Sequence, residues 1–89
     1  MRNHYNLILK TFFQKNLIAS RNDLCISQEE MAHRLSMSSR SYVDLEHGES
    51  GCSALTLALY LVYLCPDSLK FLNELKDALE ETDTRRKAV

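Results

Sequence analysis

Arg40 and Asp44 stand four residues apart, with Ser39 before them and Val43 between, in the run Ser39-Arg40-Ser41-Tyr42-Val43-Asp44. On a helix these four side chains occupy the first turn and one exposed face. A helix fits the major groove of duplex DNA, where an arginine fork takes the O6 and N7 acceptors of guanine, a pairing worth about 1–3 kcal/mol of discrimination. A carboxylate only accepts, so Asp44 would favour a cytosine amino group or keep phosphate away. A plain i, i+4 pair with Arg40 on a solvated face fits its spacing equally well. Ser38 and Ser41 carry hydroxyls able to donate to phosphate, although for Ser38 helix capping comes first.

Gln28 opens the preceding helix, where free amides and the positive end of the helix dipole suit an anion. A tolerated first-turn residue is the plainer reading. Catalytic chemistry has less to stand on. His4, His33 and His47 are isolated from any nucleophile or carboxylate pair at catalytic spacing and read as surface residues, so no enzyme is expected. Cys25, Cys52 and Cys65 are odd in number, far apart and outside any Cys-x-x-Cys, which argues against a disulfide framework or a zinc site. Reduced, cytoplasmic thiols are expected, with no metal and no cofactor.

The elements that must position these residues lie between Ser27 and Gly48. Ser27 followed by Glu30 is a capping-box pattern, in which hydroxyl and carboxylate each take a free amide at a helix start, so a helix begins near Gln28. Met31, Ala32 and Leu35 give it one apolar stripe. Ser36 to Ser38 forms a small polar turn, Ser38 caps a second helix, and Tyr42 and Leu45 supply that helix's buried side. Gly48 ends it. Two helices this short stand only when packed on each other and on a core, the arrangement of a helix-turn-helix unit over 27–48.

Gln28, Ala32, Met37, Ser38, Tyr42, Leu45, Glu46 and Gly48 together resemble the pattern of lambda-repressor-like, Cro/cI-type (XRE family) DNA-binding domains, over roughly residues 5–64. The resemblance implies a five-helix all-α bundle, here with a lengthened first helix. It implies base reading by Ser39, Arg40 and Asp44, and a phosphate hydrogen bond from Gln28. Arg21 falls where the family often has an arginine paired with the glutamate equivalent to Glu46, so a structural ion pair is expected. Two departures have physical consequences. Ser36 replaces the usual turn glycine, implying either a left-handed residue at a cost of about 1 kcal/mol or a slightly different turn. Tyr42 replaces the usual aliphatic residue of the reading helix, so its hydroxyl needs a partner or a route to the surface.

Composition agrees with one small helical domain, placed at 1–81: 89 residues, 45% hydrophobic, with two glycines and one proline. Tyr5, Ile8, Leu9, Phe12, Phe13 and Leu17 fall at helical spacing and predict a first helix over about 3–23. Its apolar runs are too short for a signal peptide or a membrane span. Ser53 caps a nearly all-apolar helix over 55–64, expected to be buried on most sides. Cys65-Pro66 stops it. Proline then suits the first turn of a last helix over 66–81, whose Leu69, Leu72, Leu75 and Leu79 form a stripe. The polar segment 82–89 reads as a flexible tail.

Charge sets the remaining expectations. Residues 25–50 carry a net charge of -3, the first 24 carry +3, and the whole chain is -1, so no strongly basic surface is evident. Neutralising only about three phosphates gives a salt slope of roughly -2.7 per half-site, which is weak for a monomer. A homodimer on a palindromic operator is therefore expected, joined through the first or the last helix. The leading expectation is a cytoplasmic, prokaryotic or phage transcription regulator, a repressor or autoregulator. The alternative is a protein-interaction module, antitoxin-like or regulator-binding, that uses an acidic face around Glu29, Glu30 and Glu49.

Overall fold

Apolar residues recurring at three and four positions, with few glycines, leave little but helix, and the computed structural model contains no strand among its described residues. It describes the backbone of residues 2–88 and the side chains of residues 4–81. Helix α1 spans Arg2–Leu24, α2 Gln28–Arg34, α3 Ser39–Glu46 and α4 Ala54–Leu59. The chain then runs straight into a π-helical turn, Tyr60–Leu64, before α5, Ser68–Ala88.

The starts of the short helices follow from serine chemistry. Ser27, Ser38 and Ser53 are extended, and their hydroxyls accept from the amides of Glu30, Ser41 and Thr56 at 3.1, 3.2 and 3.2 Å. The reciprocal half of the box at Ser27 is not formed, because the Glu30 carboxylate takes Arg34 Nε at 3.1 Å instead. That i, i+4 pair runs along the exposed side of α2.

The first three helices end alike. After α1, α2 and α3 the residues Cys25, Ser36 and Gly48 are left-handed, with φ of 57°, 56° and 73°. In each case the amide just beyond reaches back to the helix: Ile26 to the Arg21 carbonyl (3.3 Å), Met37 to Ala32 (3.0 Å) and Glu49 to Asp44 (2.9 Å). The left-handed residue itself donates to Asn22, His33 or Leu45. These are Schellman closures, which satisfy the last carbonyls of a helix. The turn between α2 and α3 keeps this geometry with a serine, so the strained alternative is the one adopted.

One core serves all these elements. Phe13 and Leu17 from α1, Met31, Ala32 and Leu35 from α2, Tyr42 and Leu45 from α3, Tyr60 and Leu64 from the π turn and Phe71 from α5 are buried together. Aromatic rings tie the first helix to the last and to the π turn: Phe12 meets Phe71 edge-on at 5.1 Å, and Phe13 meets Tyr60 at 5.2 Å. Such pairs add about 0.5–1.5 kcal/mol each beyond the area they bury.

Three sequence expectations need correction. The segment 55–64 is not a helix buried on most sides: Thr56, Tyr60 and Leu64 face inward, while Leu55, Val62 and Tyr63 are 66%, 71% and 74% exposed. Too few elements surround it to cover more than one face. Pro66 does not enter the last helix. Asp67 caps it instead, its carboxylate accepting the Lys70 amide at 3.0 Å, so α5 starts at Ser68. The backbone of α5 continues to Ala88 rather than ending near Glu81, through Thr82, Asp83 and Thr84, which are weak helix formers, into Arg85, Arg86, Lys87 and Ala88, which are good ones. Helices α1 and α5 meet through Phe12 and Phe71, while Leu7, Leu69 and Leu72 stay exposed.

Candidate nucleic-acid interface

Helix α3 is amphipathic over eight residues, and its inner face closes on a polar clamp. Tyr42, Leu45 and Glu46 point inward and are at most 5% exposed. A carboxylate this enclosed needs compensation on both oxygens. Arg21 supplies it from α1, with Nε on Glu46 Oε2 at 2.6 Å and Nη2 on Oε1 at 3.2 Å. The Tyr42 hydroxyl, one turn earlier on the same helix, donates to Oε2. Gln28 Nε2, from the start of α2, donates to Oε1 at 3.1 Å. Burial alone would push the Glu46 carboxyl up; the hydrogen bonds from Arg21, Tyr42 and Gln28 outweigh it and hold the group below its ordinary value. Burial, and then the bond to Glu46, push the Tyr42 phenol far up, so it stays a donor.

The C-terminus of α3 is tied down separately. Gln14 Nε2, from the middle of α1, donates to the Glu46 backbone carbonyl at 2.7 Å. The same glutamine explains Gly48 twice over. A Cβ there would stand 3.0 Å from Gln14 Oε1, and its φ of 73° disfavours any side chain. Arg21 also holds the loop after α1, with Nη1 donating to the Ile26 carbonyl at 3.3 Å. Helices α1, α2 and α3 are thus locked around one glutamate.

The outer face of α3 is different in kind. Ser39 and Arg40 are exposed, and Val43 and Asp44 are half-buried. Arg40 and Asp44 form no ion pair, although they are spaced for one. Ser38 Oγ donates to Ser41 Oγ at 2.9 Å, so these two hydroxyls partner each other at the start of the helix. Gln28 stands apart from this face: its amide is engaged with Glu46, and only its second amide hydrogen is left to donate elsewhere.

Local charge is milder than the sequence total. Glu46 is matched by Arg21 and Glu30 by Arg34, which leaves Glu29, Asp44 and Glu49 against Arg40 around α2 and α3. His4, His33 and His47 lie at the surface. Among the described residues, no three His, Cys, Asp or Glu side chains gather where they would hold a metal ion.

Sequence reasoning did not find Gln14 or the turn of Gln28 toward Glu46. Glutamine carries no spacing signal, and a residue 32 positions away in the chain is found only by packing. Compared with known proteins, the chain matches no family model, no curated protein and no solved structure.

Proposed function

We propose that the chain is a lambda-repressor-like, sequence-specific regulator that reads the major groove of double-stranded DNA with α3, as a repressor or autoregulator. The observation that carries this reading is the contrast across α3: an exposed, unpaired Arg40 beside Ser39, on a helix whose other side is fixed by Glu46 to two neighbouring helices. A base-reading arginine needs a rigid platform and no competing carboxylate partner, and Arg40 has both. Ser39, Val43 and Asp44 complete the reading face. Ser38, Ser41 and the free side of Gln28 take phosphate positions.

Helix α3 is short enough to enter one groove and too short to read more than a half-site, so affinity and specificity come from two copies on a palindrome. The test is selection of binders from random duplex DNA with purified protein at low salt. Enrichment of a palindrome supports the reading. No enrichment at any salt would sink it, and the exposed Glu29 and Glu49 would then favour a basic protein partner.

A further inference from the structure

Where α1 and α5 run side by side, large and small residues alternate. Phe12 and Phe71 meet ring to ring at 5.1 Å, and two turns further along α5 the residue that faces α1 is Ala78, a single methyl group. The room that this small side chain leaves is a groove of about 310 Å³, lined by Leu7, Ile8, Thr11, Phe12 and Lys15 of α1 and by Ala78 of α5. The five α1 residues stand at i, i+1, i+4, i+5 and i+8, so they share one face, and the groove follows the helix for about 12 Å.

The lining is apolar apart from the Thr11 hydroxyl and one charge, Lys15, and no carboxylate lines it. Lys15 is exposed and forms no ion pair among the described residues. The helix around it has the same sign: the first 24 residues carry Arg2, Lys10, Lys15 and Arg21 against Asp23. A plain apolar groove would accept any apolar guest. One unpaired cation at its end, with no acid beside it, selects an anion joined to a hydrocarbon, and it works against an amine or a metal ion. Volume sets the size. At about 30 Å³ for each water-sized group, the space holds about ten non-hydrogen atoms, the lower end of small-molecule sites.

We infer that this groove binds a small amphipathic monocarboxylate, a hydrocarbon chain of about eight carbons ended by one carboxylate. The chain lies along Leu7, Ile8 and Phe12 over Ala78, and the carboxylate pairs with Lys15. The groove shares no residue with the outer face of α3 or with the polar clamp around Glu46, so the inference goes beyond the DNA reading and does not rest on it. It gives the chain a small-molecule ligand, held between its first and last helices.

The test is titration of the purified chain with sodium octanoate at constant ionic strength, followed by amide chemical shifts in nuclear magnetic resonance. Saturable shifts should appear from Leu7 to Lys15 and around Ala78, with a midpoint of about 0.1–1 mM, as suits a ligand of about ten atoms. Octylamine and butyrate should bind at least tenfold more weakly, the first for its charge and the second for its length. Lys15→Gln, on an exposed side chain, should weaken octanoate about fivefold. Ala78→Leu should fill the groove and abolish the saturable shifts while keeping its helical circular dichroism; if it unfolds, Lys15→Gln and octylamine still decide. No saturable shift up to about 10 mM, octylamine binding as tightly as octanoate, shifts centred elsewhere, or a folded Ala78→Leu that binds as wild type does would each overturn the inference. Arg40→Ala should bind octanoate as wild type does, so a failure here and a failure of the DNA reading are separable.

Discussion

On the inner side of α3, Tyr42 and Leu45 are closed off from water and the Glu46 carboxylate receives hydrogen bonds from Arg21, Gln28 and Tyr42; on its outer side, Ser39 and Arg40 stand in solvent and Arg40 has no partner among the described residues. The same eight residues therefore carry two kinds of chemistry. Inside, polar groups are bonded to one another and fix an orientation. Outside, Ser39 and Arg40 face solvent. A scaffold that spends its polar contacts on holding a helix still, and none on the helix's outer arginine, is what a recognition element needs.

The sharpest way to break this division is from the inside. Glu46→Ala leaves Arg21 and the Tyr42 hydroxyl without their acceptor; because Arg21 is partly solvated, we expect a loss of about 3 kcal/mol in urea unfolding rather than the upper figure for a fully buried pair. Acid should reach the same group. Glu46 titrates below its ordinary value of 4.5 in the folded chain, so its contribution is complete above that pH and declines as pH falls toward the lowered value. The acid limb of the stability profile should flatten in the Glu46→Ala variant.

The helix ends give smaller and opposite effects. Gly48→Ala adds a Cβ against Gln14 to a left-handed residue and should cost about 1–2 kcal/mol in thermal unfolding. Ser36→Gly relieves a left-handed serine and should add about 0.5–1 kcal/mol. A destabilised Ser36→Gly would mean that the turn between α2 and α3 uses its serine for more than geometry.

Much of this framework was open to a reader of the sequence. Ser27, Ser38 and Ser53 mark helix starts, and Gly48 a helix end, because capping chemistry is local. Tyr42 announces that its hydroxyl needs a partner, and Glu46, one turn later on the same face, is within reach. What stays hidden is set by packing at long range. The Gln14 contact to α3 joins residues distant in the chain. Ser36 and Cys25 are left-handed without a glycine to say so. The π turn has no composition of its own, so Tyr60 and Tyr63 look alike in sequence and end on opposite sides of the surface. The outer face of α3 was legible as a list of residues, but only the structure separates the unpaired Arg40 from the bonded Ser38 and Ser41.

The most direct measurement is fluorescence anisotropy of the selected duplex titrated with wild type and Arg40→Ala, beside urea unfolding of both. The account predicts at least a tenfold loss of affinity in Arg40→Ala, with stability unchanged within about 0.5 kcal/mol. Equal affinity in the two proteins would contradict the assignment of α3's outer face as the reading surface.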